Sequence, residues 1–456
     1  MNTPICDFVR AYARKDPIRF HMPGHKGKTG AQIPEWKGIL PLDITEIEGA
    51  DVLYDARGCI RESEENASRL FGSAGTVYSA EGSSLCIRAM LYLAAMHATL
   101  QGRRPRIAAG RNAHRVFLET IALLDLDVAW LGTGGELLRA GIEGRELEAM
   151  FADGEHAPTA VYVTSPDYLG NRTELSTLAE LCRRNGALLL VDNAHGAYLK
   201  FLETSGHPLD RGADLCCDSA HKTLPVLTGG AYLHASQSCP EKLRSMMDRA
   251  MALFASTSPS WLILQSLDAC NARLDADYPE RIRKAAGLLR EAKRQLRDLG
   301  WELTGDEPLK LTLCPKSRGY TGTELAGILQ EKGIICEFSD PDYLVLMMTP
   351  ENSKEELERL LSVLANLPEC TPIEARAPVT GQRVRALRPH EVLFRPFERI
   401  PAEESLGRIL ASPGVSCPPA VPIVLCGERI DEEALELFRY YGIEFCDVVK
   451  EENRSE

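Results

Sequence analysis

Short apolar runs alternate with amphipathic stretches throughout the first 235 residues of the chain. Parallel strands need a crossover connection between them, so this alternation predicts an α/β fold with a mainly parallel sheet. The predicted strands are 106–109, 160–164, 187–192 and 230–234, and the predicted helices include 83–99, 115–123 and 175–184.

The pattern changes after residue 257, where long helical stretches are followed by short strands and two more helices. This indicates a small α+β domain, and a Pro- and Arg-bearing segment near 368–389 predicts a linker to a further α+β unit. We therefore predict an N-terminal arm (1–30), a large domain (31–257), a small domain (258–368) and a C-terminal domain (375–456).

The charge balance excludes one large class of partners. With 52 basic and 65 acidic residues the net charge is −13, which disfavours binding to the negatively charged backbone of a nucleic acid. No run approaches the ~18 apolar residues of a membrane span, and the N-terminus lacks the apolar core of a signal peptide. We expect neither nucleic acid nor membrane as a partner.

The 14 cysteines are scattered, without a CxxC pair or a compact Cys/His cluster. This favours reduced thiols in a cytoplasmic protein and no metal site.

Lys222 lies in the segment SAHKT between two predicted strands, flanked by small and hydroxyl residues. A lysine so placed can form a Schiff base. Taken alone, the segment is more often a surface loop.

Asp192 ends the apolar run LLLV and is followed by Asn193, Ala194 and His195. In α/β proteins, ligands bind beyond the carboxyl ends of the strands. The alternative is an aspartate that caps the next turn.

Two further signals complete the set. Gly82, Ser83 and Ser84 open an apolar helix whose N-terminal amides could bind a phosphate, although serine is also a common N-cap. His114 follows a predicted strand and could stack on a flat cofactor. A lone histidine is more often structural. The four signals together supply the parts of a pyridoxal-phosphate site.

The motifs FHMPGHKG (20–27), EGSS (81–84), RNAH (111–114), VDNAHGAYLKF (191–201) and SAHKT (219–223) occur in this order. On these and further segments the chain resembles the Orn/Lys/Arg decarboxylases, in their short form without an N-terminal wing domain. The resemblance implies an aspartate-aminotransferase-like (fold type I) large domain that binds pyridoxal 5′-phosphate. It also implies a C-terminal decarboxylase domain.

The resemblance further implies decarboxylation of L-arginine, L-lysine or L-ornithine to agmatine, cadaverine or putrescine, a step of polyamine biosynthesis. Lys222 would carry the cofactor as an aldimine, His221 would assist proton transfer, Asp192 would bind the pyridine nitrogen and His114 would stack on the ring. The implied cofactor-binding residues are Gly82, Ser83, Ser84, His114, Asp192, Ala194, His195, Ser219, His221, Lys222, Thr257 and Ser258. Thr257 or Ser258 would reach the cofactor of a neighbouring subunit, so a homodimer or larger homo-oligomer with shared active sites is expected.

Two positions depart from the family pattern. Asn193 stands where glutamate is usual, and Glu81 stands where a neutral residue is usual. A carboxylate that pointed into the phosphate site would repel the phosphate, so we expect Glu81 to point away or to pair with an arginine.

The substrate's distal cation requires an acidic partner, and the sequence leaves several candidates open. They are Asp43, Glu46, Glu48, Asp51, Asp55, Glu337 and Asp340. Another fold-type-I reaction, such as that of an aminotransferase, aldolase or lyase, remains an alternative, and so does a non-catalytic regulator that binds the cofactor. An aminotransferase would need an arginine for the substrate carboxylate, for which Arg318 and Arg376 are candidates.

Overall fold

Strands and helices alternate along the chain as predicted. The computed structural model describes residues 1–28, 34–132, 142–378, 381, 383–412 and 421–451. The chain forms two units: the first is Met1–His97 with Leu188–Arg283, and the second is Ala98–Ala187 with Lys284–Glu456. The boundaries predicted for the arm and the three domains stay a prediction.

The helices and strands of the described residues have the following bounds. The α-helices are α1 (Pro4–Arg14), α2 (Cys59–Phe71), α3 (Gly82–Leu100), α4 (Arg115–Leu123), α5 (Gly144–Ala152), α6 (Leu175–Arg184), α7 (Ala220–Thr223), α8 (Glu241–Arg244), α9 (Met247–Ala252), α10 (Trp261–Leu274), α11 (Tyr278–Asp298), α12 (Gly322–Glu331), α13 (Lys354–Ala365), α14 (Pro389–Leu393) and α15 (Glu432–Tyr441). The strands are β1 (Gly75–Ser79), β2 (Arg106–Gly110), β3 (Asp127–Leu131), β4 (Ala160–Thr164), β5 (Leu188–Asp192), β6 (Leu215–Asp218), β7 (Ala231–Ala235), β8 (Leu303–Thr304), β9 (Lys310–Leu313), β10 (Phe338–Ser339), β11 (Leu344–Met347), β12 (Phe397–Pro401) and β13 (Phe445–Val449).

In the first unit, four strands pair in the order β1-β7-β6-β5. β5 and β6 are parallel, and β7 runs antiparallel to both of its neighbours. All five residues of β5 are buried, as expected for a strand covered on both faces. The carboxyl ends of β5 and β6 therefore meet at the same edge, with Asp192 opposite Cys217.

In the second unit, three parallel strands pair in the order β4-β2-β3. A separate antiparallel sheet has the order β10-β11-β9-β8, and β12 pairs with β13. Of the pairings described for β1 to β7, three are parallel and two, both made by β7, are antiparallel, so the predicted α/β class with a mainly parallel sheet is confirmed. The small antiparallel sheet and the paired strands β12 and β13 lie in the stretches that the sequence predicts as α+β.

Local sequence sets several of the helix ends in the second unit. α12 and α13 each begin with a capping box, in which Thr321 pairs with Glu324 and Ser353 pairs with Glu356. A core of buried aliphatic and aromatic residues, among them Val345, Val424 and Phe438, lies in the C-terminal part of the unit.

α3 (Gly82–Leu100) is long and apolar enough to cross a membrane by length and composition, although the sequence pattern indicates no such run. Half of its most apolar window is buried inside the protein, and a core helix of a soluble protein passes the same test.

Candidate active site

Lys222 lies on α7, the short helix that connects β6 with β7. Its Nζ is 3.0 Å from Nε2 of His195, which follows β5. The two residues come together because β5 and β6 are parallel neighbours and both chain segments leave the sheet at the same edge. The structure thus places the predicted Schiff-base lysine against a predicted cofactor residue.

The turn after β5 holds His195 in place and requires a glycine next to it. His195 is 5% exposed. A Cβ at Gly196 would lie 1.9 Å from Oδ1 of Asn193, so no larger residue fits without moving Asn193. Asp192, at the end of β5, is 2% exposed, and its Oδ1 accepts hydrogen bonds from the Ala194 amide at 3.2 Å and the Cys217 thiol at 3.6 Å.

A second group of predicted residues gathers at the N-terminus of α3. The hydroxyl of Ser219, the N-cap of α7, donates to the hydroxyl of Ser83 at 2.7 Å. Ser84 belongs to the same first turn, whose amides lack acceptors within the helix. The amide of Gly82 donates to the Gly229 carbonyl at 2.7 Å, and a Cβ at Gly82, where φ is +74°, would meet nothing within 4 Å.

Glu81 accepts a hydrogen bond from the Ser256 amide, with a distance of 2.8 Å between Oε1 and N. Its partner is thus a backbone amide rather than the arginine that was one of the two expectations. This bond ties the residue before the N-terminus of α3 to the loop that carries Thr257 and Ser258, both of which are exposed. Their predicted contact with a neighbouring subunit stays a prediction.

His221 is half-buried, and its Nδ1 is 3.1 Å from the Gly230 carbonyl. A carbonyl can only accept, so Nδ1 carries the proton and Nε2 keeps its lone pair whenever the ring is neutral. Burial lowers the pKa of His221 below its ordinary value, which favours that neutral form.

A buried network that the sequence pattern did not predict lies next to this edge. Asp218, at the end of β6, accepts hydrogen bonds from Asn193 Nδ2 at 2.6 Å and His207 Nε2 at 2.9 Å, and His234 Nε2 lies 3.3 Å away. All four residues are fully buried. Burial alone raises the pKa of a carboxyl, but the two histidines outweigh it and hold the pKa of Asp218 well below its ordinary value.

This network explains how asparagine is accommodated at position 193. A neutral amide donates to the Asp218 carboxylate, whereas a glutamate there would bring a second carboxylate to the same buried place. An acid at the carboxyl end of a parallel strand is the signal that singled out Asp192, and it applies equally to Asp218. Donor atoms of His207, Cys216 and Asp218 lie within 4.8 Å of one another, although two of them already bond to each other.

His114 belongs to the second unit. It is exposed and caps α4, with its Nδ1 accepting from the Val116 amide at 3.2 Å. Its predicted stacking on the cofactor stays a prediction.

Two of the candidate substrate-binding acids are occupied by their own backbone. Asp51 is 8% exposed and accepts from the amides of Arg57, Gly58 and Ile60 at 2.8 to 3.0 Å. Asp340 is fully buried and accepts from the amides that follow it. Both arrangements favour a structural role.

The remaining candidate acids have other surroundings, and two of them, Glu46 and Glu48, are exposed. Asp43 accepts from His25 Nε2 at 3.1 Å, and Asp55 pairs with Arg57 at the surface. Glu337 is exposed and accepts from the Tyr168 hydroxyl at 3.4 Å.

The first unit fits a pyridoxal-phosphate cofactor. A half-buried lysine amine lies beside an imidazole, a buried carboxylate ends the neighbouring strand, and two bonded hydroxyls stand at the N-terminus of a long helix. The amine, the carboxylate and the hydroxyls match an aldehyde, a pyridine nitrogen and a phosphate respectively.

Comparisons with known proteins agree with this geometry. Residues 3–300 match the family model described as Orn/Lys/Arg decarboxylase, major domain. The arginine decarboxylase of Bacillus subtilis is 28% identical and the alignment covers 94% of this chain and 92% of that protein. The arginine decarboxylase of Halalkalibacterium halodurans is 27% identical, with 96% and 93% covered.

The crystal structure of the Francisella novicida lysine decarboxylase LdcF superposes with a TM-score of 0.80. The superposition covers 98% of this chain and 81% of that one, at 17% sequence identity. At this identity the likeness shows the fold alone.

Proposed function

The chain belongs to the Orn/Lys/Arg decarboxylase family, and from this premise we propose that it converts L-arginine to agmatine and CO₂ with pyridoxal 5′-phosphate as cofactor. It is a decarboxylase of a basic amino acid with a fold-type-I architecture. The observation that carries the proposal is the 3.0 Å contact between Lys222 Nζ and His195 Nε2. Arginine is favoured because two relatives that align over more than 90% of this chain are named arginine decarboxylases.

The first unit offers a partner for each part of the cofactor. Lys222 would hold it through its amine, Asp192 would bind the ring nitrogen, and Ser83, Ser84 and Ser219 would bind the phosphate. When bound, pyridoxal phosphate supplies an electron-withdrawing ring that accepts the electron pair left behind as CO₂ departs. The buried carboxylate of Asp192 favours a protonated ring nitrogen, which strengthens that withdrawal.

Lys222 must lose a proton before its amine can react as a nucleophile. When the amine is protonated it donates to Nε2 of His195, so this imidazole nitrogen is placed to take up the proton. His195 would thereby prepare the lysine for reaction.

His221 supplies a second proton-accepting nitrogen. Its Nδ1 is committed to the Gly230 carbonyl, so Nε2 is the atom that can accept or return a proton. The lowered pKa keeps Nε2 unprotonated at neutral pH, so His221 is better suited to accept a proton than to donate one.

We further propose a cytoplasmic homodimer with shared active sites. Thr257 and Ser258 are exposed in the single chain, and Glu81 fixes the loop that carries them. These features are suited to a surface that contacts a second subunit. The molecular mass of the holoenzyme in solution tests whether the protein is a dimer.

The experiment is an assay of CO₂ release from L-arginine, L-lysine and L-ornithine in parallel, on protein purified with pyridoxal phosphate. We expect arginine to give the highest kcat/KM and Lys222→Ala to give no CO₂. Lys200→Ala is the matched control, because Lys200 pairs with Asp210 at the surface.

Preference for lysine or ornithine would overturn the arginine assignment. Bound cofactor without CO₂ from any of the three amino acids would overturn the proposed activity of this chain. Full activity of Lys222→Ala would overturn the assignment of the cofactor-binding lysine.

A further inference from the structure

The second unit contains a cavity of about 400 Å³ whose wall is rich in arginine. Four arginines and one glutamate line it, together with the indole of Trp130 and three apolar residues. The arginines are Arg106, Arg111, Arg383 and Arg385, and the glutamate is Glu428. None of them belongs to the proposed active site.

Arg111 is buried in the wall of this arginine cavity, at 4% exposure. Its two terminal nitrogens bind both oxygens of Glu428, at 2.7 and 3.0 Å. Its Nε is buried and has no hydrogen-bond partner among the residues that the structure describes. Burying a guanidinium N–H without an acceptor is costly, so this atom is a position where an external acceptor would be stabilised.

Arg106 and Arg385 share a single carboxylate, that of Asp127. The distance from Arg106 Nε to Asp127 Oδ2 is 3.6 Å, and the terminal nitrogens of Arg385 are 3.4 Å from Oδ1. Charge-assisted hydrogen bonds usually span about 2.7–2.9 Å. Both guanidinium groups therefore keep most of their capacity to bind an anion.

Arg383 adds the fourth cation, with its Nε 3.3 Å from Asp431 and one terminal nitrogen 2.8 Å from the Ile423 carbonyl. The four guanidinium groups are thus paired with three carboxylates, those of Glu428, Asp127 and Asp431. One positive charge is left over among these groups, although the whole chain carries a net charge of −13.

We propose that the arginine cavity binds a small phosphate-bearing anion. Guanidinium groups bind phosphate oxygens through paired, nearly parallel N–H bonds, which a compact cation such as lysine cannot match. The volume exceeds that of a phosphate ion, and the half-buried Trp130 offers a flat apolar wall for the body of a phosphomonoester.

The experiment is isothermal titration of the dialysed holoenzyme with inorganic phosphate, pyrophosphate and adenosine 5′-monophosphate at fixed ionic strength. In the holoenzyme the cofactor would occupy the phosphate site proposed at α3, so we expect no contribution from that site. Sodium acetate is the control for charge alone. Binding is measured directly and does not depend on the proposed decarboxylase activity.

The key variant is Arg385→Gln, because Arg385 is 42% exposed and its loss should not prevent folding. Arg388→Gln is the matched control: Arg388 is 43% exposed and pairs with Asp125 outside the cavity wall. Arg106→Gln provides a second variant within the cavity.

We expect saturable binding of at least one phosphate compound, weakened about tenfold or more in Arg385→Gln and Arg106→Gln and unchanged in Arg388→Gln. Equal affinity for inorganic phosphate and the monophosphate would identify free phosphate as the sufficient ligand, whereas tighter binding of the monophosphate would identify a phosphomonoester. The proposal is overturned if none of the three compounds binds saturably, if acetate competes equally, or if Arg385→Gln binds as tightly as the unaltered protein.

Discussion

Replacing Asp218 by asparagine removes one charge from a network whose members are all buried. The carboxylate accepts from Asn193 on one oxygen and from His207 on the other, at 2.6 and 2.9 Å. An asparagine has only one acceptor oxygen, so its NH₂ group must face one of these two donors. Asp218→Asn therefore loses one hydrogen bond and weakens the other.

The size of the effect follows from those two bonds. A hydrogen bond to a charged group contributes about 1.5–3 kcal/mol, and removing one partner of a buried pair costs roughly 3–5 kcal/mol. We expect Asp218→Asn to lower the free energy of unfolding by about 3 kcal/mol at pH 7. Asn193 lies in the turn between Asp192 and His195, so weakening its bond to Asp218 should weaken cofactor binding as well.

The pH dependence gives an independent check on this reasoning. An acid whose pKa is lowered in the folded state stabilises it above the pKa of the unfolded chain, near 3.8, and loses that effect as the pH falls below it. The difference between wild type and Asp218→Asn should therefore be constant between about pH 5 and 7 and shrink below about pH 4.

The assay is urea unfolding of the holoenzyme, followed by circular dichroism, with midpoints compared at a common m value. Asp210→Asn is the matched control, because Asp210 is 35% exposed and pairs with Lys200. A surface ion pair contributes less than about 1 kcal/mol. A loss under about 1 kcal/mol in Asp218→Asn, or an equal loss in Asp210→Asn, would show that the buried Asp218 network does not stabilise the fold as described.

Three further variants test other parts of the molecule. Ser219→Ala should raise the Kd for pyridoxal phosphate about tenfold or more, because one hydrogen bond to a phosphate is lost; titration of the apoenzyme by fluorescence measures it. Glu81→Gln keeps an acceptor for the Ser256 amide but removes a negative charge near the phosphate site, so the Kd should fall severalfold, and an unchanged Kd would show that the carboxylate is too distant to matter. Burial raises the pKa of Asp340 to about 6, and an acid with a raised pKa destabilises the fold above that pKa. Asp340→Asn should therefore raise stability by up to about 3 kcal/mol at pH 7.5, with no gain below about pH 4 and no change in KM, as thermal melts and substrate titration would show.

Much of the fold follows from local pattern. The predicted helices 115–123 and 175–184 and the predicted strand 160–164 coincide with α4, α6 and β4. Apolar periodicity and the turn residues between elements are local properties, so they can be detected without knowing what the elements pack against. The order of the sequence motifs likewise indicated the family and Lys222.

The partners of individual side chains depended on the tertiary structure. Glu81 meets the amide of Ser256 across 175 residues, and Arg111 binds Glu428 across 317. The sequence pattern indicated neither contact, and the expectation for Glu81 named an arginine as one possible partner.

The amino-acid sequence alone shows which chemical groups the protein contains and on which elements they lie. They are a lysine between two strands, an acid at the end of a buried strand and serines at the start of a long helix. The tertiary structure is needed to show that Lys222 contacts His195, that Asn193 donates a hydrogen bond to Asp218 and that four arginines line one cavity. The physical reason is that strand pairing and register set distances between residues far apart in the chain. A change of one residue in register turns every side chain of a strand to the opposite face.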